Sequence, residues 1–412
     1  MLRLAAVQLA AHDRAAFPAA WPSIEAALHT ALDEGAKLVV LPEATLPGYV
    51  MGAQPFEDSE IASGLERMQE LARDAKAVVV AGAARTTPRG VSNSAIVVDT
   101  DGSIAGAADK HFLWHFDRQW FVRGEQIEPV RTSLGTIGAL VCADGRIPLI
   151  ARTLVEKGAQ LLVMPTAWVT SGRDPAQLEN VQADLFARVR ARENGVPFIA
   201  SNKCGTEQRC VLYCGKSQIV DADGTVAVIA SQDRQEIVSA SIALPDARPK
   251  RPQLADAVAL ESPHAAMRIA ITARALQDGD AQRLSFVEAD RIVHPGDRGF
   301  ATDEHVLDPG GLAALRLRGA TLIRWTTALD PHWQVTFART RALELRVYMI
   351  VIDEQRHRAF AVDPDGTVVC GTTGSYEIAS FAFDPARTQM TLVAPGTDVL
   401  AGLQRAAEDA RL

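Results

Sequence analysis

Hydrophobic positions along this chain alternate between short unbroken runs and stripes of helical spacing. Leu4-Ala5-Ala6-Val7-Gln8-Leu9-Ala10 reads as a first strand. Behind it Ile24, Ala27, Leu28, Ala31 and Leu32 follow the i, i+3, i+4, i+7, i+8 spacing of a helix buried on one face, with Ser23 as its expected N-cap and Gly35 as its stop. Lys37 to Leu41 (KLVVL) then reads as a strand buried on both sides, and it delivers Pro42-Glu43-Ala44 at its end. The order returns as a helix from about Leu149 to Lys157, Gly158, the strand Gln160 to Met164 (QLLVM) and Pro165-Thr166-Ala167. It returns again as Leu312 to Arg318, Gly319, Thr321 to Trp325 (TLIRW) and Thr326-Thr327-Ala328.

EGAKLVVLPEA, KGAQLLVMPTA and RGATLIRWTTA are one pattern written three times, the mark of a duplicated supersecondary unit. The later parts repeat as well: Phe186 to Glu193 (FARVRARE) matches Phe337 to Glu344 (FARTRALE). Hairpins turning at Asp101-Gly102, Asp223-Gly224 and Asp365-Gly366 close each unit. Two such units packed sheet against sheet, helices outside, predict an α/β fold of four-layer αββα type over residues 1–260. Residues 261–412 are expected to form a smaller α/β domain resembling half of that sandwich, with a shorter span from Gly319 to Asp363 than the matching spans before it. Pro245 to Ala266, rich in proline and mixed charge, reads as a linker or a long surface crossing.

At 412 residues and 48% hydrophobic content the chain is ample for a packed core. Its 42 basic and 50 acidic residues form no long single-sign block, which argues against nucleic acid as a partner. No apolar run reaches the roughly 18 residues that span a bilayer, so no membrane role is expected. Five cysteines are too few and too scattered for a disulfide framework and fit a reducing cytoplasm.

The candidate chemistry sits at strand ends. Ile137 to Val141 is an apolar strand pattern that ends in Cys142 and breaks at Gly145. A thiol there sits on a sharp turn with its sulfur exposed, and the following backbone N–H groups face whatever it attacks. Glu43 follows KLVVL, and Lys110 follows the Asp101-Gly102 hairpin. Carboxylate, ammonium and thiol together suit acyl transfer. Glu43 takes the thiol proton and later activates water, Lys110 and the Ala143 N–H hold the oxyanion, and Cys142 forms the acyl intermediate.

LPEATLPGY around Glu43, DKHFLWHF around Lys110 and VCADGRIP around Cys142 resemble the three signature segments of the nitrilase superfamily, the carbon-nitrogen hydrolases. The resemblance covers about residues 1–245. It implies an αββα sandwich and a Cys, Glu and Lys catalytic set that hydrolyses nitriles, amides or N-carbamoyl compounds with no cofactor and no metal. It also implies pairing of sandwich with sandwich, hence a homo-oligomer, with residues 262–412 docked on the catalytic domain as a substitute partner or as a cover for the pocket mouth. Two departures stand out: Asp117, one methylene shorter, takes the place of the family's additional glutamate, and Leu149 replaces the acidic residue usual after the Arg-aromatic-Pro turn.

Each candidate has a plainer reading. Cys142 could be a buried strand-end thiol, Glu43 a helix-entry carboxylate and Lys110 a solvated lysine, but their joint occurrence favours the site. His111 and His115 could shuttle protons, although a glutamate base leaves them to packing. Trp168 is a candidate substrate-binding wall or a core aromatic, and Arg146 could meet a substrate carboxylate or serve local structure. Cys204, Cys210 and Cys214 have poor zinc-ligand spacing and read as loop thiols. The third repeat has Thr327 in place of Glu43, one cysteine, Cys370, in a strand, and no lysine follows Lys250, so it cannot hold a second set. The reading is therefore a cofactor-free cytoplasmic hydrolase of a small amide or N-carbamoyl substrate. A nitrilase is its nearest rival, an inactive scaffold with the same fold is the rival of another class, and an N-acyltransferase lacks an evident acceptor site or anchor.

Overall fold

Strand β1 runs Leu2–Ala10 and is buried from Leu4 to Leu9. The glutamine that interrupts its apolar pattern is satisfied inside: Gln8 Nε2 donates to the carbonyls of Ser231 and Arg234, and its Oε1 accepts from Ser217 N. The computed structural model describes residues 1–170, 179–245, 258–277, 280, 287–374 and 377–410. The chain divides into Met1–Pro249 with Ala406–Leu412, and Lys250–Arg405. That division lies upstream of the expected boundary at residue 260, and within the proposed linker residues 246–257 lie outside the described residues.

In the first unit, β2 (Leu38–Val40), β3 (Val78–Thr87), β4 (Gly90–Val98) and β5 (Ile104–Asp109) extend from β1 as one sheet. The pairs β1/β2 and β2/β3 are parallel; β3/β4 and β4/β5 are antiparallel. A second sheet holds β6 (Val130–Thr132), β7 (Gly135–Ala139), β8 (Leu161–Pro165), β9 (Phe198–Ser201) and, beyond the hairpin β10 (Lys203–Glu207) and β11 (Val211–Cys214), β12 (Gln218–Val220) and β13 (Val226–Ile229). The hairpin β10/β11 joins the other edge of β1, where β14 (Glu236–Ile242) also pairs.

Strands β2 and β3 lie against β8 and β9, while α1 (Phe17–Asp33) and α2 (Ser59–Ala75) cover the first sheet and α3 (Pro148–Glu156) and α4 (Ala187–Asn194) the second. The four layers follow from sequence pattern, because strands buried on both faces need an apolar layer on each side. Helix α1 buries Ile24, Ala27, Leu28, Ala31 and Leu32, the expected face, and each large aliphatic side chain so sealed contributes about 1.5–3 kcal/mol. The helix does not start at Ser23. Phe17 is buried and Pro18 occupies the first turn, where its missing N–H costs nothing, so the helix begins there and Ser23 lies inside it.

The second unit packs β15 (Met267–Ile271), β16 (Arg291–Val293) and β21 (Ala379–Phe383) against β17 (Leu322–Thr326), β18 (Tyr348–Asp353), β19 (Arg358–Val362) and β20 (Val368–Thr372). Ile269, Ile271, Leu322, Tyr348, Ile350 and Phe381 form their common core. β17 to β20 pair parallel, antiparallel, antiparallel, as β2 to β5 do and as β8, β9, β12 and β13 do. In three hairpins the same pair of bonds recurs: Asp99 N to Ser103 O with Gly102 N to Asp99 O, and likewise for Asp221, Thr225 and Gly224 and for Asp363, Thr367 and Gly366. The glycines hold φ of +82°, +86° and +77°, a region other residues rarely adopt. A buried Arg190–Glu193 pair at 2.7 Å on α4 has its counterpart in Arg341–Glu344 on the helix Pro331–Leu345.

Candidate active site

Glu43 stands just past β2, and the approach of the neighbouring strand is so close that β3 needs glycine beside it. A Cβ on Gly82 would lie 2.4 Å from Glu43 Cα. Glu43 N donates to Thr166 O, which ties this strand end to the one after β8 (3.2 Å). The carboxylate is wholly buried. Its Oε1 accepts from Lys110 Nζ and from Asn93 Nδ2, both at 2.7 Å, while Oε2 has no partner among the described residues.

Lys110 leaves β5 with its backbone held on both sides, N to Asn93 O and O from Gly124 N. Its ammonium is fully buried, 2.7 Å from Glu43 Oε1 and 2.7 Å from Asp117 Oδ2. Burial alone would lower its pKa, but the charges of Asp117 and Glu43 outweigh it and hold the ammonium well above its ordinary value. Asp117 reaches Lys110 despite its short side chain because it lies in a 3-10 turn, His115–Gln119, that folds back on itself, with Trp114 N donating to Oδ2 at 2.8 Å. Tyr49 donates its hydroxyl to Asp117 Oδ1 at 2.7 Å. Burial, with the nearby charge of Asp117, pushes that phenol well above its usual pKa, so it remains a donor. The loop carrying Tyr49 is in turn pinned by Glu207, which accepts from Tyr49 N, Val50 N and Tyr213 OH.

Cys142 opens a 3-10 turn, Cys142–Arg146, directly after the second sheet's β7. Its φ is +45°, a strained value for a residue with a Cβ, and only 7% of its surface is exposed. Burial and the charge of Glu43 push its thiol up to about 12, with Lys110 pulling the other way. The thiol is neutral at rest and needs a base. Ala143 N lies in the first turn of the 3-10 helix, where N–H groups have no acceptor within the helix. Asp144 clasps the two halves of the site: its Oδ1 accepts from His111 N and Phe112 N, beside Lys110, and its Oδ2 from Val141 N, beside Cys142. Burial raises its pKa to about 7 against the pull of those N–H groups.

Glu43, Lys110 and Asp117 are thus in direct contact, and Cys142 stands within electrostatic reach of Glu43 and Lys110. Trp168 is buried, with an indole N–H that has no partner among the described residues. His111 Nε2 lies 3.1 Å from Asp409 Oδ2, which the sequence did not pair with it, and His115 stacks edge-on to Phe116. The three clustered cysteines are not all loop thiols. Cys204 and Cys214 are buried partners across β10 and β11, and only Cys210 sits in the turn. Among the described residues no group of three or more His, Cys, Asp or Glu could hold a metal ion, and no helix is long and apolar enough to cross a membrane.

Asn93, Tyr49, Asp144 and Glu207 went unnoticed in the sequence. The only signal was polarity out of place, such as Asn93 within an apolar strand.

The family profile described as carbon-nitrogen hydrolase matches residues 3–252. A probable nitrilase of Schizosaccharomyces pombe is 28% identical over 220 residues, 52% of this chain and 78% of that protein. An (R)-stereoselective amidase of a Pseudomonas species is 30% identical over 199 residues, 48% of this chain and 69% of that one. The crystal structure of a carbon-nitrogen hydrolase from Helicobacter pylori G27 aligns with a TM-score of 0.52 at 26% identity, covering 58% of this chain and 88% of that one.

Proposed function

The chain belongs to the carbon-nitrogen hydrolase family, and from that premise we propose that it cleaves the C–N bond of a small amide or N-carbamoyl compound through a thioester on Cys142. One observation carries the reading. Glu43 spends Oε1 on Lys110 and Asn93 and keeps Oε2 buried and without a partner among the described residues, a free lone pair within electrostatic reach of a neutral thiol.

As Sγ attacks the substrate carbonyl, its proton passes to Glu43. The oxygen that gains charge is held by the Lys110 ammonium and Ala143 N–H; losing one such donor typically costs about 2.7–4 kcal/mol of transition-state stabilisation. Collapse breaks the C–N bond, and Glu43 returns its proton to the departing nitrogen. A water then gives a proton to Glu43 as it attacks the thioester; as the C–S bond breaks Glu43 passes that proton to Sγ, and the acid leaves with Cys142 and Glu43 both restored. Asp117 and Tyr49 keep Lys110 charged and in place throughout.

A nitrile would use the same residues, and the similarity to a probable nitrilase favours keeping that second reading. Measuring ammonia, acid and amide release across matched amides, ureido compounds and nitriles separates the two. We also infer that residues 261–412 derive from the same supersecondary unit as each half of the sandwich, supported by the recurring strand pairing, hairpin bonds and Arg–Glu pair. Without a lysine it contributes no second site. Accordingly Cys142→Ala should fold with an unchanged melting profile and lose at least about a thousandfold in kcat; turnover near wild type would end the assignment.

A further inference from the structure

The last described helix, Val399–Asp409, ends on an acid. A carboxylate at that end meets the negative pole of the helix and is unfavourable there unless something offsets it. Two donors do so: Asp409 Oδ2 lies 3.1 Å from His111 Nε2 and 3.1 Å from Arg123 Nη1. All three residues belong to one compact unit, although 298 and 286 positions of sequence separate Asp409 from its partners. The His111 side chain is only 4% exposed and that of Asp409 26%, so the contact is shielded and is no surface pair of negligible worth. A carboxylate only accepts, so the histidine gives its Nε2–H. Burial and the charge of Arg123 lower the pKa of His111, which leaves the ring neutral at pH 7 and makes Arg123 the counter-charge.

The two residues that Asp409 grips are the chain neighbours of a bond already in the site. Gly124 N donates to Lys110 O at 2.8 Å; His111 follows Lys110, and Arg123 precedes Gly124. The approach is tight there, since a Cβ on Gly124 would lie 2.4 Å from Asp109 O. Residues 111–123 therefore leave and return at one place, and Asp117, which pairs with the Lys110 ammonium at 2.7 Å, stands in the span between. Within the span Tyr49 and Trp114 N hold Asp117, and at its base Asp409 joins the two ends. Pinning both ends of a loop removes the wide excursions that free ends would allow.

We propose that Asp409 is a positioning residue of the active site: by clasping His111 and Arg123 it keeps the base of the 111–123 span shut, and so keeps Asp117 against Lys110. It touches no reacting atom. The proposal rests on the thiol-hydrolase reading above and adds to that site a residue far beyond the part of the chain that matches the family.

The test combines steady-state kinetics and hydrogen exchange on the full-length protein, with whichever amide, ureido compound or nitrile it turns over fastest. Asp409→Ala should lower kcat at least about tenfold while KM stays within about twofold, and Asp409→Glu should recover part of the loss. Exchange read by mass spectrometry should rise at least about tenfold over residues 111–124 and stay unchanged over β1 to β3. Arg123→Met should reproduce both effects, and the double variant should add little to either. An unchanged kcat, a loss of kcat without faster exchange of 111–124, or exchange that rises throughout the unit overturns the proposal. The parent reading fails separately. If the wild type turns over none of the compounds, faster exchange confined to 111–124 in Asp409→Ala keeps the clasp and ends the hydrolase. Turnover that the variant leaves untouched does the reverse.

Discussion

Replacing Lys110 by methionine removes the single cation from between two buried carboxylates, and the consequence can be worked from the geometry. Nζ sits 2.7 Å from an oxygen of Glu43 and 2.7 Å from one of Asp117. At an effective dielectric of about 20, each contact is worth about 6 kcal/mol of gross Coulomb attraction. Desolvation of three charges offsets most of this, and breaking a buried pair from one side costs about 3–5 kcal/mol net. For a unit of this size each kcal/mol moves the melting point by about 2–4 °C, so a displacement of about 10 °C is expected. Differential scanning calorimetry is the appropriate assay, because the chain has two compact units and one transition should move while the other stays. The pH dependence supplies a second reading. The folded-state pKa of Lys110 is raised, so its contribution is fully present below the unfolded value of about 10.4 and is lost as pH rises through the folded one. Where Lys110 itself titrates, the gap between wild type and Lys110→Met should therefore narrow only in strong alkali. A variant that melts within a degree or two of wild type at pH 7, or a gap that closes as pH rises from 7 to 9, would refute the reasoning.

Three further outcomes follow from the same contacts. Tyr49→Phe deletes the hydroxyl bond to Asp117 and should cost about 1.5–3 kcal/mol, visible as a lowered first-unit transition; an unchanged one means the hydroxyl is no anchor. Gly82→Ala puts a Cβ 2.4 Å from Glu43 Cα, so it should displace that backbone, cost about 1–3 kcal/mol and abolish turnover, and full activity in the variant would contradict the close approach. Since the Cys142 thiol is pushed up to about 12, its alkylation by iodoacetamide should show no titration step with a midpoint between pH 6 and 9; a plateau reached near pH 8 would reveal a resting thiolate instead.

The sequence exposed what repeats and what stands at strand ends. Glu43 and Cys142 were legible because each follows an apolar run long enough to be buried, so the first polar group after it needs a purpose. The helix stripe of α1 was legible for the same reason, since spacing alone selects its buried face. Partners far apart in sequence were not. Nothing local says that Asn93 meets Glu43, that Tyr49 meets Asp117, or that Asp144 joins the backbone after Lys110 to that before Cys142. Asp117 stood out as one methylene shorter than the family's glutamate because side-chain length is visible in a sequence and the back-folding turn is not. Ser23 misled as a helix start because Phe17 finds a place in the core, which a capping preference cannot foresee. Cys204 and Cys214 read as loop residues because strands of five and four residues are too short to show alternation.

The two carboxylates that share Lys110 have a last consequence, for release of the product. In the proposed reaction an amide would meet these groups neutral and would leave as an acid that sheds its proton at neutral pH. At that moment a third negative charge appears beside Glu43 and Asp117, with one ammonium among the three. Repulsion from the two carboxylates would then weaken binding of the product and its inhibition. The carboxylates that hold the ammonium in place would thus also favour release of the product.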